Sequence, residues 1–124
     1  MIAIDYLRNQ PQHLLTVARW VYDEWTHVTE PDLESQVRVT REWLNDDRIP
    51  LCLVAIDGDR CVGTVSIFVD DLHARQDLTP WLAALYVDAG HRNRGIGGAL
   101  IERLLEAARG LGIRRLYLHT ETAS

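Results

Sequence analysis

Between Trp81 and Gly112 an apolar segment, a loop rich in arginine and glycine, and an amphipathic helix follow one another without a break. The run Trp81 to Val87 has the composition of a buried strand. Asp88-Ala89-Gly90-His91-Arg92-Asn93-Arg94-Gly95 leads from it into Ile96, Leu100, Leu104, Ala108 and Leu111, which repeat at helical steps. Glu102, Arg103, Glu106 and Arg109 lie on the other face. Gly110 and Gly112 are expected to stop a helix of about 14 residues. A strand feeding such a loop into a helix start is an anion site in physical terms. The first N–H groups of a helix lack intrahelical partners, the helix dipole adds partial positive charge, and glycines let a phosphate approach the main chain. Arg92 and Arg94 add formal charge.

The rest of the chain is read around this segment. Ile2 to Leu7 alternates as a first strand. Asn9-Gln10-Pro11-Gln12 resembles a capping box, and Leu14, Ala18, Val21 or Tyr22, and Trp25 then predict a helix over 10–24. Thr29-Glu30-Pro31-Asp32 reads as a second cap, with Leu33, Val37, Thr40 and Leu44 on one face of the helix it starts. Leu51 to Ile56 is a continuous apolar run, the pattern of a strand covered on both faces. Asp57 to Arg60 makes a turn, Cys61 to Val69 returns, Asp70 to Thr79 is loop-like, and Arg115 to His119 is a last strand. The expected class is α/β (α+β): a mixed, mostly antiparallel sheet in the order β-α-α-β-β-β-α-β, one domain over residues 1–124.

Composition narrows the function classes. The 124 residues carry a net charge of −5, which argues against a general nucleic-acid binder. No apolar run approaches the ~20 residues of a membrane span, and no export leader is visible at the start, so a cytoplasmic protein is expected. All 13 basic residues are arginine, which excludes a Gly-Lys-Ser/Thr phosphate loop and a catalytic lysine. Residues 1–80 hold 7 Arg and 14 acidic residues, whereas 81–124 hold 6 Arg and 4. That division suits a cationic substrate beside an anionic cofactor, and equally a solvated surface. If 57–60 turns a hairpin, Ile56 faces Cys61 and Cys52 falls opposite Val65, so the two cysteines are out of register for a disulfide. Five scattered His and no paired Cys spacing suggest no metal site.

Two nucleotide-binding templates can be tried on the loop. The dinucleotide pattern Gly-x-Gly-x-x-Gly fails, because Gly95-Ile96-Gly97-Gly98-Ala99-Leu100 ends on Leu. Arg92-Asn93-Arg94-Gly95-Ile96-Gly97 instead matches Arg/Gln-x-x-Gly-x-Gly/Ala, preceded by Leu85-Tyr86-Val87-Asp88. With the order of elements, this resembles the GNAT superfamily of N-acetyltransferases along essentially the whole chain, with only 82–105 specific. Ala89 stands where the family commonly has Pro.

The resemblance implies acetyl-CoA as co-substrate, without a metal. Main-chain N–H groups of Arg92, Asn93, Arg94, Gly95, Ile96 and Gly97 would cradle the pyrophosphate, with Gly98 and Ala99 at the helix start. Leu85, Tyr86 and Val87 would pair with the pantetheine arm in a slot where their strand splays from the next. The amine would attack the thioester directly, helped by a base, a carbonyl-polarising N–H (that of Val87 or a neighbour) and an acid for the thiolate. The base stays open among Glu24, Asp70, Asp71 and a water chain, with His73 and His119 the other bases near strand ends. The family's acid is commonly a Tyr in a segment that should begin where this chain stops, at Ser124; Tyr6, Tyr22, Tyr86 and Tyr117 do not match it. The resemblance therefore reads as one lacking the C-terminal helix and strands, as a shortened chain, a homodimer covering the sheet edge, or a non-catalytic acyl-CoA-binding or regulatory domain. Trp20, Tyr22, Trp25 and Trp43 lie on the two helices that form the family's substrate side. The acceptor would be a small-molecule or peptide amine.

Overall fold

The computed structural model describes residues 2–69 and 80–118. Its organising strand is β2 (Leu51–Asp57), whose first six residues are all buried. Leu51, Leu53 and Ala55 join one core and Cys52, Val54 and Ile56 the other. A strand with apolar side chains on both faces must be covered twice, and the chain supplies helices for both sides. β2 pairs antiparallel with β1 (Ile2–Tyr6) and with β3 (Arg60–Phe68). β3 pairs antiparallel with β4 (Trp81–Val87), and β5 (Tyr117–Leu118) lies parallel to β4 at Trp81 and Leu82. The sheet order is β1-β2-β3-β4-β5, mostly antiparallel as expected. Asp70 to Thr79 and His119 fall outside the described residues.

The register differs from the simple hairpin. Ile56 does face Cys61, but Cys52 lies opposite Ser66, not Val65. Val62 is an extra residue in β3, a bulge that shifts every later pair by one. Both cysteines are free and buried.

The helices α1 (Leu14–Glu24) and α2 (Leu33–Arg41) cover one face, where Val17, Val21 and Trp43 pack on Cys52, Val54 and Ile56. The expected Asn9 capping box does not form. Asp5 accepts from Asn9, Gln10 and the Tyr6 N–H, and Gln12 bonds to Gln10, so these polar side chains stabilise the strand exit instead. Partial burial opposes ionisation of Asp5, but those hydrogen bonds hold its carboxyl below the usual range. Residues 11–13 form a 3₁₀ turn before α1. The cap of α2 is Asp32, whose carboxylate accepts from the Ser35 N–H; Thr29 and Pro31 lie outside the helix. Of the expected face only Thr40 is fully buried, joined by Gln36, while Leu33 and Val37 are half-buried. Gln36 is tolerated there because it donates to Thr40 and accepts from Thr26, so no buried amide is left unpaired.

The opposite face is covered by α3 (Ile96–Gly110), which buries Ile96, Leu100, Leu104, Ala107 and Ala108. Gly110 is its last residue and Gly112, at φ +78, turns the chain away. The Ile113 N–H bonds to the Ala108 carbonyl and the Gly112 N–H to that of Arg109, closing the carbonyl end. α3 presses closest at Gly63 of β3. A Cβ there would lie 3.1 Å from Leu100 Cδ1, 3.2 Å from the Tyr86 carbonyl oxygen and 3.4 Å from Ile96 Cγ2. Gly63→Ala is therefore expected to lower stability by about 1–3 kcal/mol through overpacking, measured by urea unfolding.

Candidate functional site

The site is built where β4 ends and α3 begins. Two residues of β4, Ala84 and Leu85, lie opposite the single Val65 of β3, and Ala84 adopts φ +55. This second bulge resets the phase of the strand. Beyond it the Asp88 N–H bonds to the Val62 carbonyl at 2.8 Å. In an antiparallel ladder alternate residues face the same neighbour, so Tyr86 and Asp88 face β3. Val87 then directs its N–H away from β3, to the edge on which β5 lies. The splaying of β4 from the following strand falls on residues outside those described.

After Val87 the chain makes a 3₁₀ turn, Ala89–His91. Asn93 takes φ +65 and Gly95 φ +79, the latter serving as the N-cap of α3. A β-branched residue at Gly95 would be strained, which is the physical use of that glycine. The first bond of α3 runs from the Ala99 N–H to the Gly95 carbonyl at 3.0 Å. Ala99 thus stands at the helix start, where the sequence reading placed it, with its N–H inside the helix. Gly95, Ile96, Gly97 and Gly98 precede it, and helix geometry gives their N–H groups no intrahelical acceptor. The helix start also leaves room on the side-chain face: a Cβ at Gly95 or Gly98 would meet nothing within 4 Å, and one at Gly97 only Val87 Cγ2 at 3.8 Å. An anionic group fits this cradle on the chemistry of its donors.

The arginines divide the work differently from the sequence reading. Arg92 does not project its charge freely. Its Nε donates to the Val87 carbonyl at 2.9 Å and its guanidinium lies 5.5 Å from the Tyr86 ring centroid. It ties the loop back to β4, which makes it a support of the cradle. Arg94 is exposed at the loop. Tyr86 is also stacked by Trp20 of α1 at 4.9 Å, so one ring joins α1, β4 and the loop.

Of the proposed bases, Glu24 is exposed at the end of α1, while Asp70, Asp71, His73 and His119 lie outside the described residues. The aromatic residues separate: Trp43 is buried on Phe68 at 4.7 Å, and Trp25 stays 41% exposed. A cavity of about 260 Å³, which periodicity did not reveal, opens between α1, α2 and the end of β3. Its wall is Val21, Val39, Trp43 and Phe68, with Thr26 and Glu30 as polar members. Only the packing of three elements creates it, so no local pattern could have announced it.

Burial pushes the Cys61 thiol up to about 12 and raises that of Cys52 as well. These are the two cysteines of the chain, and both are poor thiolates at neutral pH. Among the described residues no group of three or more His, Cys, Asp or Glu could hold a metal ion, and no helix is long and apolar enough to cross a membrane.

The sequence profile described as the acetyltransferase (GNAT) family matches residues 14–124. The chain belongs to that family of acyltransferases. Among solved structures it is similar to the aminoglycoside acetyltransferase AAC(6')-Iy in complex with a bisubstrate analogue, with a TM-score of 0.75 and 16% identity over 100% of this chain and 82% of that one. An aminoglycoside acetyltransferase from an uncultured soil metagenomic sample gives 0.69 and 22%, over 99% and 82%. A predicted acetyltransferase from Clostridium acetobutylicum, solved with acetyl-CoA, gives 0.69 and 17%, over 98% and 82%. At these identities the likeness concerns the fold. No curated protein sequence matches the chain significantly.

With both thiols protonated and covered, neither cysteine is expected to react with an alkylating reagent at neutral pH in the folded protein. Mass spectrometry after iodoacetamide treatment checks this; both should label once the chain is unfolded.

Proposed function

We propose that the chain, acting as a single cytoplasmic domain, moves an acetyl group from acetyl-CoA to a primary amine by direct attack in a ternary complex. The observation that carries this reading is the glycine-rich start of α3, whose first N–H groups lack an intrahelical acceptor, following a Val87 N–H turned away from β3. Main-chain N–H groups from Arg92 through Gly98 are suited to hold a diphosphate, where the helix dipole adds to their charge. Leu85, Tyr86 and Val87 offer a strand for an amide-bearing arm. The Val87 N–H is the donor that would polarise a carbonyl. Acetyl-CoA supplies the activated acyl group, and the relatives solved with coenzyme A or its analogues support that choice. Two buried thiols leave no cysteine to carry the acyl group, which favours direct transfer.

For the acceptor we favour a small cationic amine. The acidic balance of residues 1–80 and the carboxylate of Glu30 beside an apolar cavity suit an ammonium group with an apolar or sugar-like body. The aminoglycoside acetyltransferases among its structural relatives point the same way.

Calorimetric titration with acetyl-CoA, beside NAD in a parallel cell, tests the cofactor. Micromolar binding of acetyl-CoA and silence from NAD are expected, and the reverse would overturn the reading. Thiol release with a panel of amines then separates catalysis from acyl-CoA binding alone. Gly97→Glu is expected to abolish coenzyme A binding with an unchanged melting temperature, because it sets bulk and negative charge before the free N–H groups. Arg92→Ala is expected to weaken binding by about 1–2 kcal/mol, the scale of one charge-assisted contact. Since Arg92 acts through Val87 and Tyr86, that loss should change little between low and high salt.

A further inference from the structure

The base of the anion-binding loop is fastened by a histidine held between two carboxylates from different strands. His91 closes the 3₁₀ turn after β4, and its side chain is only 13% exposed. Its Nδ1 lies 3.2 Å from Asp88 Oδ2, at the end of β4, and its Nε2 lies 3.5 Å from Asp57 Oδ2, at the end of β2. Arg60, which begins β3, sits 3.4 Å from the same Asp88 oxygen. Asp59, in the turn between β2 and β3, lines the neighbouring cleft with Asp88, Arg60 and His13. Among the described residues these are the titratable and charged groups that meet His91 from β2, β3, β4 and the adjoining cleft; Arg92, next in the chain, is turned to Val87.

Ionised carboxylates only accept hydrogen bonds, and a neutral imidazole carries one N–H. Both contacts of His91 are favourable together only when the ring is an imidazolium. In the neutral ring one nitrogen lone pair faces a carboxylate oxygen, and one of the two attachments fails. Of the two contacts of His91, the one to Asp57 reaches from the turn across to β2, so its loss removes one of the attachments that hold the turn to the sheet. Arg92, bonded to Val87, begins the donor run directly after His91. We propose that His91 is a positioning residue: in its protonated form it clamps the turn to Asp57 and Asp88 and so sets the aim of the N–H groups from Arg92 to Gly98. The clamp is complete only while the ring carries both N–H groups. The consequence for ligand affinity rests on the reading of this loop as the coenzyme A phosphate site.

The test uses the free protein first. Hydrogen-exchange protection of the Asp88 and His91 amides, which are bonded to the Val62 and Asp88 carbonyls, is corrected for intrinsic exchange and compared at about pH 5.5 and about pH 8.5. In the wild type, protection is expected to fall roughly two- to fivefold at the higher pH, the scale of a partly exposed ion pair. His91→Gln keeps one neutral donor and should show no such pH response, and Asp57→Asn should lose most of it. An equal pH response in wild type and His91→Gln, or an unchanged one in Asp57→Asn, overturns the proposal. Coenzyme A affinity is then measured at both pH values in the same three proteins. The ligand's own phosphate ionisation is common to all three, so the excess loss in the wild type is the clamp. A protein that shows the exchange pattern but never binds coenzyme A retains the clamp and loses the reading of the loop.

Discussion

At Gly63 the backbone of β3 comes so close to Leu100 and Ile96 that a side chain would have to displace α3. That approach, made at the first turn of the helix, is what the rest of the site depends on. It holds the start of α3 against the end of β4, because Gly63 is also the register partner of Val87. The two ends meet, which fixes where the loop between them starts and stops. The hydrophobic contact of Ile96, Leu100 and Leu104 with the sheet thus stabilises the position of a polar site several residues away.

Polar attachments complete what packing begins. Asp88 is bonded through its N–H to Val62 and through its carboxylate to His91 and Arg60. Arg92 returns to Val87 and Tyr86, and Trp20 holds Tyr86 from the side of α1. Every one of these ties lies before Asn93. From Asn93 onward positive φ values at Asn93 and Gly95 reverse the chain into the start of α3, whose first N–H groups have no intrahelical acceptor. A firmly held base and unsatisfied donors at its tip are what a preorganised anion site requires, since its donors need not be reoriented when charge arrives.

Both bulges serve the same end. Val62 in β3 shifts its pairing with β2, and Ala84 with Leu85 shifts β4 against β3. Bulges re-aim side chains and main-chain groups near functional sites. Here the second one decides which residues of β4 face β3 and which face the outer edge, and so which N–H could meet a ligand. The first, at Val62, brings Cys52 opposite Ser66, with its Sγ 3.1 Å from Thr64 Oγ1.

How much of this was legible in the residues depends on the range of the interaction responsible. The doubly covered β2, the α3 stripe and the free N–H groups of the Gly95–Gly98 run follow from period, composition and helix geometry, all of which act within a few residues. The capping of α1 did not, because Asp5 competes for Asn9 and Gln10 from a neighbouring strand. The face of α2 did not, because Gln36 is buried only by virtue of hydrogen bonds to Thr26 and Thr40. The role of Arg92 did not, since a charged side chain beside a glycine loop reads as a ligand until the Val87 carbonyl is seen to hold it. The sequence by itself determined the elements, their order and the glycine-rich start of α3, because local backbone chemistry is written in local residues. Only the tertiary structure decided the bulged registers, the cavity beside Glu30 and the pairing of His91 with Asp57 and Asp88. Each of those joins groups distant along the chain, whose meeting is set by how the sheet and helices pack.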